Sequence, residues 1–251
     1  MAKSSGLGDG LHIAGFDASG DIQQLGAIGG GPALLDVTGI NKSAHERIGG
    51  ERDGRMEITT FFNHVQAGTG THEKLSALPR TDVILTYCRG TVLGNAAASI
   101  VAKQVNYDPT RATDGSLTFG VSAQANGYGI EWGQQLTAGV RTDTAATNGT
   151  AIDTTAALSF GAQAYLQVFA PFTGTDATVK IQDSADNVTF ADVAGMAFTQ
   201  ITAAPASQRI ATSNTATIRR YVRVVTVTTG GFTSLAFAVN FVKNSIAGQV
   251  F

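Results

Sequence analysis

Residues 116–125 alternate without interruption. Leu117, Phe119, Val121, Ala123 and Ala125 fall on one side, and Ser116, Thr118, Gly120, Ser122 and Gln124 on the other. A period of two sends successive side chains to opposite faces, so this stretch is predicted as a half-buried strand with a small polar outer face. The pattern recurs along the chain. Val83, Leu85 and Tyr87 alternate with Ile84, Thr86 and Cys88. Ile218, Arg220, Val222 and Val224 alternate with Arg219, Tyr221, Arg223 and Val225. Leu235, Phe237, Val239 and Phe241 make another apolar face. Between such runs stand Asp53-Gly54, Asp114-Gly115, Asn126-Gly127, Asn148-Gly149 and Gly230-Gly231, dipeptides suited to the positive φ angles of tight turns. The chain is therefore predicted to be all-β. One short helix is expected over 71–78, with Thr71 as cap, Glu73 in its first turn and Pro79 as its stop.

At 251 residues the chain is long enough for one large domain or two modest ones. Charged residues make up 14%, against about 25% in average globular chains. So few charges imply a surface that is small and polar or covered by neighbours. Charge usage changes near residue 140. Residues 1–139 hold 10 Lys and Arg against 13 Asp and Glu; residues 140–251 hold 7 against 6, and all five glutamates precede Val140. The stretch 139–150 has no apolar period. A boundary is placed there: a first domain over 1–139, a linker over 140–149, and a second β-sandwich over 150–251, jelly-roll or immunoglobulin-like, with strands near 165–172, 177–184 and 219–227.

The residues argue against several functions. The formal net charge of −2 lacks the basic footprint of sequence-independent DNA binding. Neither a secretion signal nor an apolar run of about 18 residues is read, so no membrane insertion is expected. Cys88, the single cysteine, is expected to be a buried inert thiol. His72-Glu73 begins like a zinc-protease helix, but Ser76 stands where the second histidine belongs. His12, His45, His64 and His72 share no ligand spacing, so no metal and no cofactor is expected. The oxygen-rich run 183–187 reads as an Asx-type turn before it reads as a calcium loop. No paired nucleophile and base is found, and the chain is expected not to be an enzyme.

One segment stands out. His45, Glu46, Arg47, Glu51, Arg52, Asp53 and Arg55 pack charge of both signs into an otherwise sparsely charged chain. Lying between a strand around 33–40 and one starting near 55, residues 43–54 are read as a long docking loop.

The order of features over 1–139 resembles the tail-tube, or major tail, proteins of long-tailed bacteriophages: an N-terminal arm (1–10), a charged loop (43–54), a helix (71–78), then 82–90, Asp114-Gly115-Ser116-Leu117-Thr118-Phe119 and Ile130-Glu131-Trp132-Gly133-Gln134-Gln135-Leu136-Thr137. The resemblance covers slightly over half the chain and rests on order and composition. It implies a tail-tube-like β-sandwich with residues 150–251 as an outer decoration. It also implies a subunit that stacks as rings, hexameric in that family, into a tube for DNA ejection. Implied partners are copies of the chain, a tape-measure protein and a tail-terminator protein, with DNA passing through unbound. The implied location is the virion tail, after assembly in the bacterial cytoplasm. Asp36, Glu57, Asp82, Asp108 and Glu131 are then candidates to face the channel. The competing readings are a carbohydrate- or cell-surface-binding module and a head-decoration protein.

Overall fold

A computed structural model describes residues 5–64 and 70–247. The order of elements is β1 (Gly10–Ile13), β2 (Phe16–Asp17), β3 (Ile22–Gly29), β4 (Pro32–Asp36), β5 (Arg47–Arg52), β6 (Arg55–Phe61), α1 (Thr71–Leu75), β7 (Val83–Cys88), β8 (Ala96–Gln104), β9 (Asp108–Arg111) and β10 (Leu117–Ala125). It continues with β11 (Glu131–Gln135), β12 (Arg141–Asp143), β13 (Ile152–Asp153), β14 (Ala162–Gly174), β15 (Thr178–Ser184), β16 (Ala191–Ala197), β17 (Ala206–Ala211), β18 (Tyr221–Val227) and β19 (Phe232–Lys243). Among the described residues the protein is all-β apart from α1, as its alternation predicts. Its strand pairs are antiparallel.

The chain forms two compact units. One holds Met1–Gly20, Ile84–Ser99 and Glu131–Phe251; the other holds Asp21–Val83 and Ile100–Ile130. This division departs from the predicted boundary at 139. The strands of 84–99 and 131–135 pair into the same unit as residues 150–251. Glu131–Gln134 lie opposite Ser99–Ala96, and Gln134 and Gln135 lie opposite Phe241 and Asn240. Such long-range pairing leaves no trace in local composition.

The first unit is a sandwich. Its larger sheet runs β17-β14-β19-β11-β8, with β12 on β19 and with β7, β1 and β2 pairing in turn; its smaller sheet runs β13-β18-β15-β16. Leu166, Val168, Phe237, Val239 and Phe241 from the larger sheet meet Val179, Ile181, Val222 and Val224 from the smaller in one fully buried core. The predicted linker belongs to this unit. β12 lies along β19. Arg141 Nε and Nη2 each donate to Asp143 at 2.7 Å, Thr226 Oγ1 donates to Asp143 Oδ2 at 2.7 Å, and Thr147 exchanges backbone hydrogen bonds with Thr226. Polar side chains hold this segment in place, so it needs no apolar period.

The second unit is built on β10, which pairs with β6, β8 and β9, while β3 flanks β6. Phe119, Val121 and Ala123 are buried, and Gln124 is exposed, as the alternation predicts. The helix is shorter than 71–78. It stops at Leu75, and Gly70 rather than Thr71 occupies the cap position. Thr71 Oγ1 instead donates to the carboxylate of Asp21. Among the turn dipeptides, Gly115, Gly127 and Gly231 adopt φ of +91°, +78° and +87°.

Candidate assembly interface

The segment predicted as a docking loop over 43–54 is largely a strand. β5 pairs with β4 in a two-stranded sheet of its own, with Pro32 opposite Arg52, Leu34 opposite Gly49, Leu35 opposite Ile48 and Asp36 opposite Arg47. Val37 N donates to Glu46 O and extends the ladder toward the tip. The period of two then assigns the faces. Ala33, Leu35 and Val37 share one face with Ile48 and Gly50. Leu34 and Asp36 share the other with Arg47 and Gly49.

Every residue of β4 is exposed. Leu34 is 72% accessible, Ile48 is 52% accessible, and Leu35, Val37 and Ile40 are exposed with them. Sequence reasoning identified the charges of this segment and missed its apolar residues, because alternation predicts a face without saying whether anything covers it. Isolated two-stranded hairpins are marginal in water, and an uncovered apolar face marks a contact surface.

The charged residues are ordered locally. His45 Nδ1 lies 3.0 Å from Asp36 Oδ2, and Lys42 Nζ lies 2.8 Å from Glu46 Oε1. Asp36 also accepts from the Thr38 hydroxyl and, at 2.9 Å, from Thr38 N; these bonds, the hydroxyl first, hold its carboxyl below the usual carboxylate range. Arg47, Glu51 and Arg52 are exposed along β5. Asp53 lies at the root of the hairpin. Its oxygens accept from Gln124 Nε2 at 2.7 and 2.8 Å and from Gly54 N at 2.7 Å. Arg55 Nε lies 3.4 Å from Glu57 Oε1. An open cleft of about 450 Å³ sits at this root, lined by Gly29, Gly30, Gly31, Asp53, Arg55 and Gln124 among others. Gly30 is required there: a β-carbon on it would lie 2.3 Å from Asp53 O and 2.4 Å from Gly54 Cα.

The five candidate channel acids separate. Asp36, Glu57, Asp82 and Asp108 belong to the second unit, and none of the four is buried. Asp82 pairs with Lys103 at 2.7 Å and accepts from Asn126 Nδ2 at 2.8 Å, and Lys103 leads in lowering its pKa. Asp108 accepts from Asn106 Nδ2 at 2.7 Å. Glu131 lies in the first unit and is 3% accessible, so it cannot present its charge to a channel. It accepts a hydrogen bond from the Tyr165 hydroxyl and, at 3.3 Å, from Arg209 Nε and Nη2. Burial, followed by the charge of Glu131, raises the Tyr165 pKa and keeps the phenol protonated.

A second cluster has the composition of a nucleophilic site. Cys88 Sγ lies 4.0 Å from His12 Nδ1, and His12 Nε2 lies 3.8 Å from Asp17 Oδ1. Its electrostatics oppose that chemistry. Burial pushes the Cys88 thiol up to about 12 and lowers His12 against the opposing pull of Asp17. Thiol and imidazole are both neutral at pH 7, and a thiol is a poor nucleophile. In the run 183–187, Asp183 and Ser184 end β15, and the bend that follows is closed by Asp186, which accepts from Val188 N at 2.9 Å and Thr189 N at 2.8 Å. No helix among the described residues is long and apolar enough to cross a membrane.

No protein family matches the sequence. No curated protein matches it either. Among solved structures, the chain is similar to the SPP1 Dit (gp 19.1) protein, described as a paradigm of the hub adsorption apparatus in phages infecting Gram-positive bacteria. The identity is 11% and the TM-score 0.34, over 94% of this chain and 99% of that one. It is also similar to a chain of the phage p2 baseplate in its activated conformation with Sr, at 10% identity and a TM-score of 0.35, over 94% and 98% of the two chains. TM-scores this far below 0.5 do not establish a common fold.

Proposed function

We propose that this chain is a non-catalytic structural subunit of a bacteriophage tail, and that it joins copies of itself through the β4–β5 hairpin into stacked rings forming the tail tube. The observation that carries this reading is the hairpin: a separate two-stranded sheet with Leu35, Val37 and Ile48 uncovered on one face. Full burial of a Leu or Ile side chain is worth about 1.5–3 kcal/mol, so covering these residues supplies a substantial part of an interface. A second copy is the occupant favoured by the charges, because acids (Asp36, Glu46, Glu51) and bases (Lys42, Arg47, Arg52) alternate within the same segment. A surface that contacts a different patch on the next copy closes into a ring when the rotation permits. The order of features over 1–139, with its likeness to tail-tube proteins, supports the same reading. Six copies per ring, tape-measure and terminator partners, assembly in the host cytoplasm and passage of DNA through the channel belong to this proposal. The channel acids in it are Asp36, Glu57, Asp82 and Asp108, with Glu131 withdrawn.

Electron microscopy of the concentrated, purified chain tests it. Stacked tubes are the expected result. Closed rings that never stack favour a hub or adaptor role in the tail, and monomers at all concentrations overturn self-assembly. A carbohydrate-binding role has one observation in its favour. Trp132, the only tryptophan, is half exposed and lies in the same compact unit as residues 150–251, with Tyr87 edge-on at 6.2 Å. A glycan array with the full chain and a Trp132→Ala variant separates the two readings.

A further inference from the structure

His64 and His72 are eight positions apart, a spacing that suggests no ligand set, yet the second unit brings their rings together. The ring centres are 5.5 Å apart with planes at 76°. Two imidazoles bound to one tetrahedral metal, at nitrogen–metal distances of about 2.0–2.1 Å, have ring centres roughly 5–5.5 Å apart. Hydrogen bonds fix both segments. The Asp21 carboxylate accepts from Asn63 Nδ2 at 2.9 and 3.0 Å and from the Thr71 hydroxyl, while His72 N donates to Asn63 O at 3.1 Å. The backbone on either side of the histidine pair is therefore set before any ligand arrives.

The ring of His72 is also oriented. Its Nδ1 lies 3.1 Å from the Tyr107 hydroxyl, and Tyr107 stacks on Phe119 at 4.3 Å with planes 12° apart. When Nδ1–H donates to the phenol oxygen, Nε2 carries the lone pair. A partner on the far ring nitrogen is the arrangement that fixes tautomer and aim in metal-binding histidines. His64 is exposed, which leaves the remaining coordination positions to water.

We infer that His64 and His72 form a two-histidine site for a borderline transition-metal dication of the zinc, nickel or copper type, with Tyr107 positioning the ring of His72. Imidazole selects these ions over magnesium and calcium. Among the described residues no set of three or more His, Cys, Asp and Glu is grouped to hold a metal, so the ligands are two imidazoles and water. Binding would tie the segment around Phe62 and His64 to α1.

The test is calorimetric titration of Zn²⁺ into the metal-free full-length chain, with Mg²⁺ as the control ion. One equivalent of Zn²⁺ binds, and Mg²⁺ gives no saturable heat. His64→Ala, at an exposed position, keeps the fold by circular dichroism and weakens Zn²⁺ binding about tenfold or more. Tyr107→Phe weakens it about tenfold, as loss of a partner behind a ligand does, while His45→Ala leaves it unchanged. With Cu²⁺, electron paramagnetic resonance reports two equatorial nitrogens in the parent and one in His64→Ala. Unchanged Zn²⁺ affinity in His64→Ala, or no saturable binding by the parent up to about 1 mM metal, overturns the assignment.

Discussion

Glu131 gives the sharpest test of how the first unit is held together. Its carboxylate is buried among Tyr165 and Arg209, whose side chains come from β14 and β17 at positions directly opposite each other. The Arg209 side chain is itself only 9% accessible, and its guanidinium lies 5.6 Å over the Tyr165 ring. Glu131→Ala removes the carboxylate that accepts from both the Tyr165 hydroxyl and Arg209; Arg209 Nε keeps its 3.0 Å bond to the Tyr165 oxygen, and its buried charge loses this counter-ion. Breaking a buried pair from one side costs about 3–5 kcal/mol, because the surviving charge stays desolvated. For a chain of this size that is roughly 6–20 °C in Tm. The assay is urea unfolding followed by Trp132, the sole tryptophan and the neighbour of Glu131 on β11. Glu131→Leu combined with Arg209→Met removes both charges, and well-packed replacements of this kind are often nearly neutral. The double variant should therefore be more stable than Glu131→Ala. A Glu131→Ala cost below about 1 kcal/mol, the level of an exposed ion pair, would show that the carboxylate is solvated and would return it to the channel candidates.

Leu35→Ser combined with Ile48→Ser should leave stability almost unchanged, within about 0.5 kcal/mol as for other surface substitutions, yet abolish tubes in electron micrographs. Tubes of normal length from this variant would remove the hairpin from the interface. Asp153, held to about 2 chiefly by the Arg220 guanidinium, and Asp186, held to about 2 chiefly by Thr189 N, both have folded pKa values below the ordinary 3.8. Their contribution is complete above the ordinary value and is lost as pH falls toward 2. The acid limb of a Tm–pH profile should accordingly flatten in Asp153→Asn, and an unchanged limb would contradict the assignment. Cys88 should resist a disulfide-exchange reagent at pH 8 in the native chain and react once in denaturant; rapid native labelling would mean that its strand opens.

What the sequence reveals here depends on the range of the interaction. Alternation is local, so it predicts the buried faces of β10 (Phe119, Val121 and Ala123) and β19 (Leu235, Phe237 and Val239). Composition is local too, and it misled. The Thr- and Ala-rich stretch after Gly139 has the appearance of a linker because it has no apolar period, yet Asp143 is nearly inaccessible and is satisfied by Arg141 and by Thr226, far along the chain. Glu131 misled for the same reason. A lone acid on a strand is usually solvated, and its burial depends on Arg209, 78 positions away. The β4–β5 hairpin poses the reverse problem. Leu35, Val37 and Ile48 share one apolar face, and the described residues of a single copy do not cover it. In each case the missing term is a partner distant in sequence, and for the hairpin the proposal places that partner in another copy. The hairpin variant is thus the experiment that separates an incomplete fold from an incomplete assembly. If Leu35 and Ile48 were covered within one copy, their replacement by Ser would cost stability of the order of a lost core contact, about 2–5 kcal/mol each. If another copy covers them, the loss appears in assembly alone.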